Sequence, residues 1–543
     1  MLIPDKTFRI AAYGVFVVLA LIAVRTFLDY GITWDEELQS QYGLAIADYY
    51  KSGFKDTGFD QLFNLYLYGG LFDALASIID SYTPFFIYDT RHLLNAFFGL
   101  LGLWGTWKLG RFMGGDAVGF LALVLCALVP SYYGHMFNNP KDIPFAAGIV
   151  WTIYYMSRSY ENPKLPTLIK LAIILGLTLG VRVGGVMVFA FWLAPMGLVA
   201  LLPLVRNRNS KTWRAVASDI FSRSWRIVLP VALLAHAIML VFWPWAQQNP
   251  LSNPLRALSE FSNFPQDVEV LLDGTIYRST ELPWTYVPSY FAIQLPEILI
   301  LLLISFVLFL PQLWRPMAIS RKQSLSLILL MIFVPVLYAT IRHPALYDAV
   351  RHFLFVIPLA CVIAAMAAYE LFMLATSRCA TRVALVIIFV ASLAMQVFVI
   401  AKLHPYEYIY ANQFIGGVRG AYGKYEADYW GSSFKEAATK LQAFVAAEGG
   451  IPAGQIYKVA ICGPRSSATI YLPPNFRPVV ANEPAEFFLS TTRWQCQNMR
   501  PGDEIIRVER LGAPLSIVKD LRNGYAYYEG NLKRLQMPPL TNP

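Results

Sequence analysis

Charged residues and cysteines are both scarce in this sequence of 543 residues. Asp, Glu, Lys and Arg make up 15% of it and hydrophobic residues 56%, whereas an average soluble protein has roughly 25% charged residues. The five cysteines are too few for a disulfide-rich secreted scaffold. The sequence lacks CxxC, HExxH, GxSxG and P-loop motifs, so a metalloprotease, a serine hydrolase and a nucleotide-driven pump lose their usual support. The composition excludes a single soluble domain and a disordered chain, and it favours a polytopic membrane protein.

The basic residues are placed unevenly. A net charge of +9 would suit nucleic acid, but the cations cluster in every second short loop between apolar runs, as expected for loops that stay in the cytoplasm. We therefore predict no nucleic-acid partner. The clusters are Lys108 and Arg111; Arg158 and Lys164; Arg206, Arg208, Lys211, Arg214, Arg223 and Arg226; Arg315, Arg321 and Lys322; and Arg378 and Arg382.

Eleven apolar runs are long enough to be membrane spans, each of about 20 residues. The first has Lys6 and Arg9 before it and no small-residue cleavage site after it, which favours a retained span over a signal peptide. An odd number of spans with a cytoplasmic N-terminus places the C-terminal part outside the cytoplasm. The runs begin near Ile10, Arg91, Val118, Ile143, Leu168, Val183, Ile227, Phe291, Leu325, Phe353 and Val383.

A further membrane crossing by residues 59–79 would overturn this topology. Their length fits a further span, but Asp60, Asp73 and the Gly69-Gly70 pair suit an interfacial helix better. Residues 36–50 also have helical spacing with one apolar face. We therefore expect the first outer loop, 28–90, to lie along the membrane surface.

Two domains are predicted: a transmembrane domain over 1–401, with a second large outer loop at 246–290, and an α/β domain over 402–543. A helix is expected from about Ser433 to Ala447. Strands are expected at 458–462, 487–490, 505–508 and 515–519. This domain is interpreted as a lid or docking module. Cys462 and Cys496 both lie in it, and we predict that they form a disulfide.

One candidate for chemistry is the segment Thr33-Trp34-Asp35-Glu36-Glu37, just beyond the first span. Of two adjacent carboxylates, one can accept a proton while the other orients it or binds a cation. Simple solvation next to the membrane, or capping of a helix by Asp35, explains the segment equally well.

Two further candidates lie at outer ends of spans. Lys141 and Asp142 stand between Pro140 and Pro144, which restrict the backbone; a plain loop with a solvated ion pair is the alternative. The stretch 342–352 includes Tyr347, Arg351 and His352. Arginine binds two phosphate oxygens at once, so a lipid-linked phosphate is a natural partner, although each cation could instead contact a headgroup. Arg91, His92 and Arg182 also lie near outer helix ends.

Together these motifs resemble the GT-C glycosyltransferases. The similarity rests on Asp35 and Glu36, on Asn139-Pro140-Lys141-Asp142-Ile143-Pro144 and on Tyr347-Asp348-Ala349-Val350-Arg351-His352-Phe353. The segments 404–412 and 428–431 are similar to uncharacterised bacterial members. The closest likeness is to the bacterial protein O-mannosyltransferase and aminoarabinose-transferase superfamily, and it covers most of the membrane part.

The resemblance implies an α-helical, multi-pass GT-C enzyme of the bacterial plasma membrane, with a cytoplasmic N-terminus and a periplasmic C-terminal domain. Such an enzyme moves a sugar from a polyprenyl phosphate to an envelope lipid or glycan with inversion; a protein acceptor and a lipid-linked sugar transporter are the alternatives. Asp35 matches the general base, Glu36 an orienting residue and Asp142 the acidic residue of the second loop. Lys141, Arg351, Arg182 and His352 are expected to face the phosphate. The second outer loop has a single Asp beside Lys141, where relatives have a DxD motif that binds metal. The resemblance therefore implies no firm cofactor, and binding of a divalent cation is left open.

Overall fold

The computed structural model describes residues 5–206, 213–262, 266–375 and 379–522. Arg208, Lys211, Arg378 and the last 21 residues of the predicted C-terminal domain, 523–543, lie outside the described residues. Up to residue 262 the described α-helices are α1 (Asp5–Thr26), α2 (Glu36–Lys51), α3 (Leu71–Asp80), α4 (Ile87–Ala127), α5 (Pro130–Asn138), α6 (Asp142–Glu161), α7 (Leu165–Leu179), α8 (Met187–Arg206), α9 (Trp213–Val241), α10 (Pro244–Gln248) and α11 (Ser252–Ser262).

A short antiparallel hairpin, β1 (Glu269–Leu272) and β2 (Thr275–Arg278), follows α11 within the predicted loop 246–290. The chain then returns to helix. The remaining helices of this part are α12 (Tyr286–Gln294), α13 (Glu297–Trp314), α14 (Ile319–Arg342), α15 (Val356–Leu374) and α16 (Cys379–Leu403). All eleven predicted spans overlap helices.

Six of the described helices are long and apolar enough to cross a membrane: α1, α4, α13, α14, α15 and residues 380–403 of α16. Segments of α7 and α9 and residues 183–197 are also apolar but shorter. The 41-residue α4 covers two predicted spans, and its dihedral angles leave the helical range at Gly114 and Gly115, where Gly115 has a φ of 86°. The structure confirms a helical membrane protein, and it leaves the exact number of spans as a prediction.

Residues 59–79 do not form one long helix. They contain two 3₁₀ turns, at Gly58–Gln61 and Leu65–Leu67, and most of α3. A ten-residue helix is about 15 Å long, half the thickness of the hydrocarbon core. The segment is therefore too short to cross the membrane as a helix, in agreement with the interfacial interpretation.

The buried centre of the membrane part is formed by α4, α6 and α15, which pack against one another. All residues from Val356 to Ala368 of α15 are buried, and several are alanines. Small residues let helix backbones approach closely in a membrane. By contrast, α1 exposes large apolar side chains such as Val17 and Leu21, as expected where a helix faces lipid. The rigid centre fixes the helix ends that carry the candidate residues.

The C-terminal part is a small α/β domain, as the sequence predicted. A five-stranded sheet has the order β4-β3-β5-β7-β6, in which β3 is parallel to β4 and β5, and β7 is antiparallel to β5 and β6. Its elements are α17 (Gly417–Ala421), α18 (Phe434–Ala447), β3 (Tyr457–Cys462), α19 (Arg465–Thr469), β4 (Phe476–Val480), β5 (Phe487–Thr491), β6 (Asp503–Arg510) and β7 (Ala513–Asp520). Cys462 and Cys496 are joined by a disulfide.

The first outer loop is held against this domain. A Cβ added at Gly31 would lie 2.2 Å from the backbone oxygen of Ser432, so only glycine fits there. The backbone N–H of Ile32 donates to the Tyr471 hydroxyl at 3.0 Å, and Lys435 donates to the Tyr30 carbonyl at 3.0 Å. These contacts determine where the chain emerges from α1, and hence where Asp35 lies.

Candidate active site

Asp35 begins α2 and is surrounded by cations from two other loops. Its Oδ2 lies 3.3 Å from Nη1 of Arg351 and 3.7 Å from Nζ of Lys141. Burial by itself raises the pKa of Asp35. The positive charges of Lys141 and Arg351 lower it by more than burial raises it, so the pKa falls to about 2. The Asp35 side chain nevertheless remains 31% exposed. A substrate can therefore reach an ionised carboxylate that is held between two cations.

Asp142, at the start of α6, forms the second acidic position. Its Oδ1 lies 2.6 Å from Nη2 of Arg182 in an ion pair, and its Oδ2 accepts a hydrogen bond from Asn139 at 2.9 Å. The Asn139 side-chain oxygen in turn accepts from the Asp142 backbone N–H at 3.0 Å. This reciprocal pair spans the turn at Pro140 and holds the carboxylate towards Arg182.

One tyrosine ring joins the two acidic positions. Lys141 Nζ and Arg182 Cζ lie 4.7 Å and 5.7 Å from the centroid of Tyr68. Cations are attracted to the face of an aromatic ring within about 6 Å. Tyr68 therefore keeps the cation that pairs with Asp35 beside the cation that pairs with Asp142. The sequence analysis missed Tyr68 because its segment was considered only for membrane crossing.

Arg351 is the most enclosed of these cations, with 6% of its side chain exposed. Its guanidinium lies 4.7 Å from the ring centroid of Tyr347 and 5.4 Å from that of Trp430. Its Nε lies 3.4 Å from Oδ2 of Asp348. Arg351 is thus fixed by rings and a carboxylate, and Nη1 is left to contact Asp35.

Asp348 is held in turn by the C-terminal domain. It accepts a hydrogen bond from Nε1 of Trp430 at 3.1 Å, and its Oδ1 lies 3.0 Å from Nη2 of Arg493 in an ion pair. The same Arg493 nitrogen lies 2.9 Å from Oε1 of Glu426. Asp348 and the next residue, Ala349, have φ angles of 58° and 61°, a conformation that L residues seldom adopt and that costs free energy. The buried contacts around Asp348 compensate for this cost.

The sequence analysis did not include Arg493, Trp430, Glu426 or Asp348 among the site residues. Asp348 and Trp430 lie within the motifs on which the resemblance rests, so the resemblance could have identified both. Arg493 lies in a turn of a domain that was interpreted as a lid or docking module. Only the tertiary structure brings it to the outer ends of the membrane helices.

Glu36 points away from the Asp35 carboxylate. It is 1% exposed, and its Oε2 accepts from the Thr33 backbone N–H at 2.8 Å. Its Oε1 lies 3.1 Å from Nε2 of His92. The first contact ties Glu36 to the backbone of the turn that precedes α2. Glu36 therefore holds the turn that carries Asp35, and its role in orienting Asp35 or the acceptor stays a prediction.

Arg91 and His352 contact other groups than the Asp35 carboxylate. Arg91 forms a buried ion pair with Asp73 of α3. His352 packs edge-on against Tyr347, and burial, together with Arg351, lowers the pKa of His352 to about 3. His352 is therefore neutral at pH 7 and supplies no positive charge to a phosphate.

A divalent cation does not fit between Asp35 and Asp142 as these residues are arranged. Both carboxylates already contact cationic side chains, and Lys141, Arg182 and Arg351 outnumber the two acids. The described residues 5–206, 213–262, 266–375 and 379–522 contain no group of three or more His, Cys, Asp or Glu side chains that could hold a metal. Three cationic side chains beside one another suit a phosphate, whose oxygens accept charge-assisted hydrogen bonds.

The chain is similar to two solved structures. The ArnT crystal structure from Cupriavidus metallidurans bound to undecaprenyl phosphate has a TM-score of 0.47 and 11% identity, covering 96% of this chain and 99% of ArnT. The apo oligosaccharyltransferase of Archaeoglobus fulgidus has a TM-score of 0.47 and 13% identity, covering 88% of this chain and 65% of the other. No curated protein sequence matches the chain.

A family model matches the segment that carries much of the site. Residues 90–245 match the family described as dolichyl-phosphate-mannose-protein mannosyltransferase. This range contains Arg91, His92, Lys141, Asp142 and Arg182. The match confirms that the chain resembles the glycosyltransferases of the GT-C superfamily.

Proposed function

We propose that this protein transfers a sugar from a polyprenyl phosphate carrier to an envelope lipid or glycan on the extracytoplasmic side of a bacterial plasma membrane. The observation that carries the proposal is the partly exposed Asp35 carboxylate between Lys141 and Arg351. The site joins a proton acceptor to cations suited to a phosphate. The family description, which names a lipid-phosphate sugar, supports this class of donor.

The reaction needs both kinds of group. An acceptor oxygen attacks the anomeric carbon of the sugar, the bond from that carbon to the phosphate oxygen breaks, and the polyprenyl phosphate leaves as an anion. Attack opposite the leaving group inverts the anomeric centre. The acceptor proton goes to Asp35, while Lys141 and Arg351 stabilise the charge on the phosphate.

Donor binding would make Asp35 a stronger base. A carboxylate with a pKa near 2 is a weak base at neutral pH, since a catalytic base works best with a pKa near the working pH. A donor phosphate would attract the same Lys141 and Arg351. As these cations turn to the phosphate, they stabilise the Asp35 anion less, and the pKa of Asp35 rises.

A protein acceptor is the second candidate, because the matching family is described as a protein mannosyltransferase. A transporter of lipid-linked sugars is a rival of another class. It predicts charged or broken helices near mid-membrane, whereas the candidate acids and cations lie at helix ends and in loops. Only the enzyme releases free polyprenyl phosphate, so release of that product separates the two classes.

The test is mass spectrometry of envelope lipids, glycans and secreted proteins from cells with the wild-type protein, Asp35→Asn or Asp48→Asn. Asp48 is the control, because it lies on the same loop with 58% of its side chain exposed. We expect Asp35→Asn to accumulate normally and to lose activity by about 100- to 10,000-fold, so that one glycoform loses a single sugar. Unchanged glycoforms in Asp35→Asn at equal membrane abundance would refute the assignment of the base.

A further inference from the structure

A second cluster of cations lies at the opposite end of the helices that carry the candidate active site. It lines a cavity of about 440 Å³ at the break in α4, and the lining residues include Lys108, Arg111, Phe112, Asp116, Arg158 and Arg321. This cavity is called the basic pocket below. Its volume lies within the range of small-molecule sites, roughly 300–1,000 Å³.

The basic pocket is far from Asp35 and its cations. Lys108 follows Arg91 by 17 residues along α4, and Arg158 follows Asp142 by 16 residues along α6. At 1.5 Å per residue both helices place the pocket about 25 Å from the candidate active site. A hydrocarbon core is about 30 Å thick. The pocket therefore lies near the depth of the other layer of headgroups.

The charges of the pocket favour an anion. Four cations line it with two carboxylates, Asp5 and Asp116. Asp116 is already paired with Arg111 and with Arg9. Within the described part of the chain, Lys108 forms no ion pair or hydrogen bond, and its Nζ lies 5.6 Å from the ring centroid of Trp107. A free ammonium group is thus available to a ligand.

Two arginines are held in place beside this lysine. Arg321 Cζ lies 3.9 Å from the ring centroid of Phe112, and Arg158 Cζ lies 5.9 Å from it. Both guanidinium groups also lie near Glu161, at 3.8 Å and 3.9 Å. The ring and the shared carboxylate pre-organise the arginines, and each keeps donors free for oxygen atoms of a phosphate.

We propose that the basic pocket binds the phosphate headgroup of an anionic phospholipid, at the end of the molecule that the sequence analysis assigns to the cytoplasm. The excess of cations in the pocket favours a phosphate as the ligand. Because the pocket lies beside spanning helices at the depth of the headgroups, the molecule that carries the phosphate is expected to be a lipid. Tyr154, which is half-buried, lines the same cavity and offers an aromatic side chain to the part of the lipid next to the phosphate. The proposal does not depend on the glycosyltransferase activity.

The test is native mass spectrometry of the full-length protein in detergent with added phosphatidylglycerol or phosphatidylcholine. The variants are Lys108→Gln, Arg158→Gln and the double change, with Lys164→Gln as control. Lys164 is an exposed cation at the same end of the helices, outside the pocket. We expect preferential retention of phosphatidylglycerol by the wild type and the control.

Each pocket substitution should lower the affinity for phosphatidylglycerol about fivefold, and the double change about 25-fold. Lys108→Gln leaves no described partner unpaired, so it tests the pocket even if the double variant unfolds. Equal retention of phosphatidylglycerol by the wild type and Lys108→Gln would overturn the proposal. Displacement of the lipid by an equimolar amount of inorganic phosphate would overturn the choice of a lipid, because a free ion would then suffice.

Discussion

Arg493 forms a buried ion pair with Asp348, in which Nη2 lies 3.0 Å from Oδ1. Asp348 contacts Arg351, and Arg351 contacts Asp35, at 3.4 Å and 3.3 Å. A continuous series of buried or half-buried charges therefore runs from the C-terminal domain to the candidate base. The C-terminal domain therefore contributes to the site itself, because its Arg493 helps to hold Arg351 through Asp348.

Replacing Arg493 should disturb both stability and donor binding. Arg493→Gln leaves Glu426 buried without its cation and removes one of the two arginines beside Asp348. Breaking a buried ion pair costs about 3–5 kcal/mol. We expect a lower unfolding temperature in detergent and weaker binding of undecaprenyl phosphate. Arg507→Gln, which changes a half-exposed arginine of β6 paired with Glu504, is the control. If a folded Arg493→Gln protein bound undecaprenyl phosphate as tightly as the wild type, Arg493 would have no role in donor binding.

Lys141 should contribute directly to donor affinity. Lys141→Met removes an ammonium group and keeps much of the apolar stem over Tyr68. A hydrogen bond to a charged group contributes about 1.5–3 kcal/mol, so the Kd for undecaprenyl phosphate should rise at least about tenfold. Isothermal titration calorimetry measures this change, with Lys51→Met on the exposed side of α2 as the control. An unchanged Kd would place the phosphate elsewhere.

The stability of the protein should depend on pH through Glu426. Burial and Asp348 raise the pKa of this carboxyl to about 7, although Arg493 opposes the rise. The folded state therefore holds a proton that the unfolded chain releases near pH 4.5. The resulting stabilisation is complete below pH 4.5 and is lost as the pH rises to about 7, with a slope of up to about 1.4 kcal/mol per pH unit.

Unfolding temperatures measured between pH 4.5 and pH 8 test this dependence. Glu426→Gln removes the titrating group and should flatten the curve, whereas Glu448→Gln, on a partly exposed carboxylate paired with Arg522, should not. A Glu426→Gln curve with the wild-type slope would show that another group titrates.

The disulfide should hold the turn that carries Arg493. Cys462 and Cys496 are separated by 34 residues, and closing a loop of that size stabilises a protein by about 4 kcal/mol in the chain-entropy description. We expect the double change Cys462→Ala and Cys496→Ala to lower the unfolding temperature and to weaken the binding of undecaprenyl phosphate. If only the unfolding temperature fell, the disulfide would have no role in positioning Arg493.

The features that depend on local patterns could be predicted from the order of residues. Hydropathy marked the helices of the membrane part because each span must satisfy its own backbone groups in lipid. Capping and turn residues marked α18 and four of the five strands of the C-terminal sheet. The missed strand, β4, contains Pro478 and lies at the edge of the sheet, where proline is tolerated.

Which charges meet depends on the packing of segments that are remote in the sequence. Asp35 and Glu36 are adjacent, yet the partly exposed Asp35 faces the cations Lys141 and Arg351, whereas Glu36 is buried beside His92. Arg493 reaches Asp348 because the sheet domain packs over the outer helix ends. The free energy of an ion pair depends on distance and burial between remote segments, and neither quantity is contained in the local order of residues.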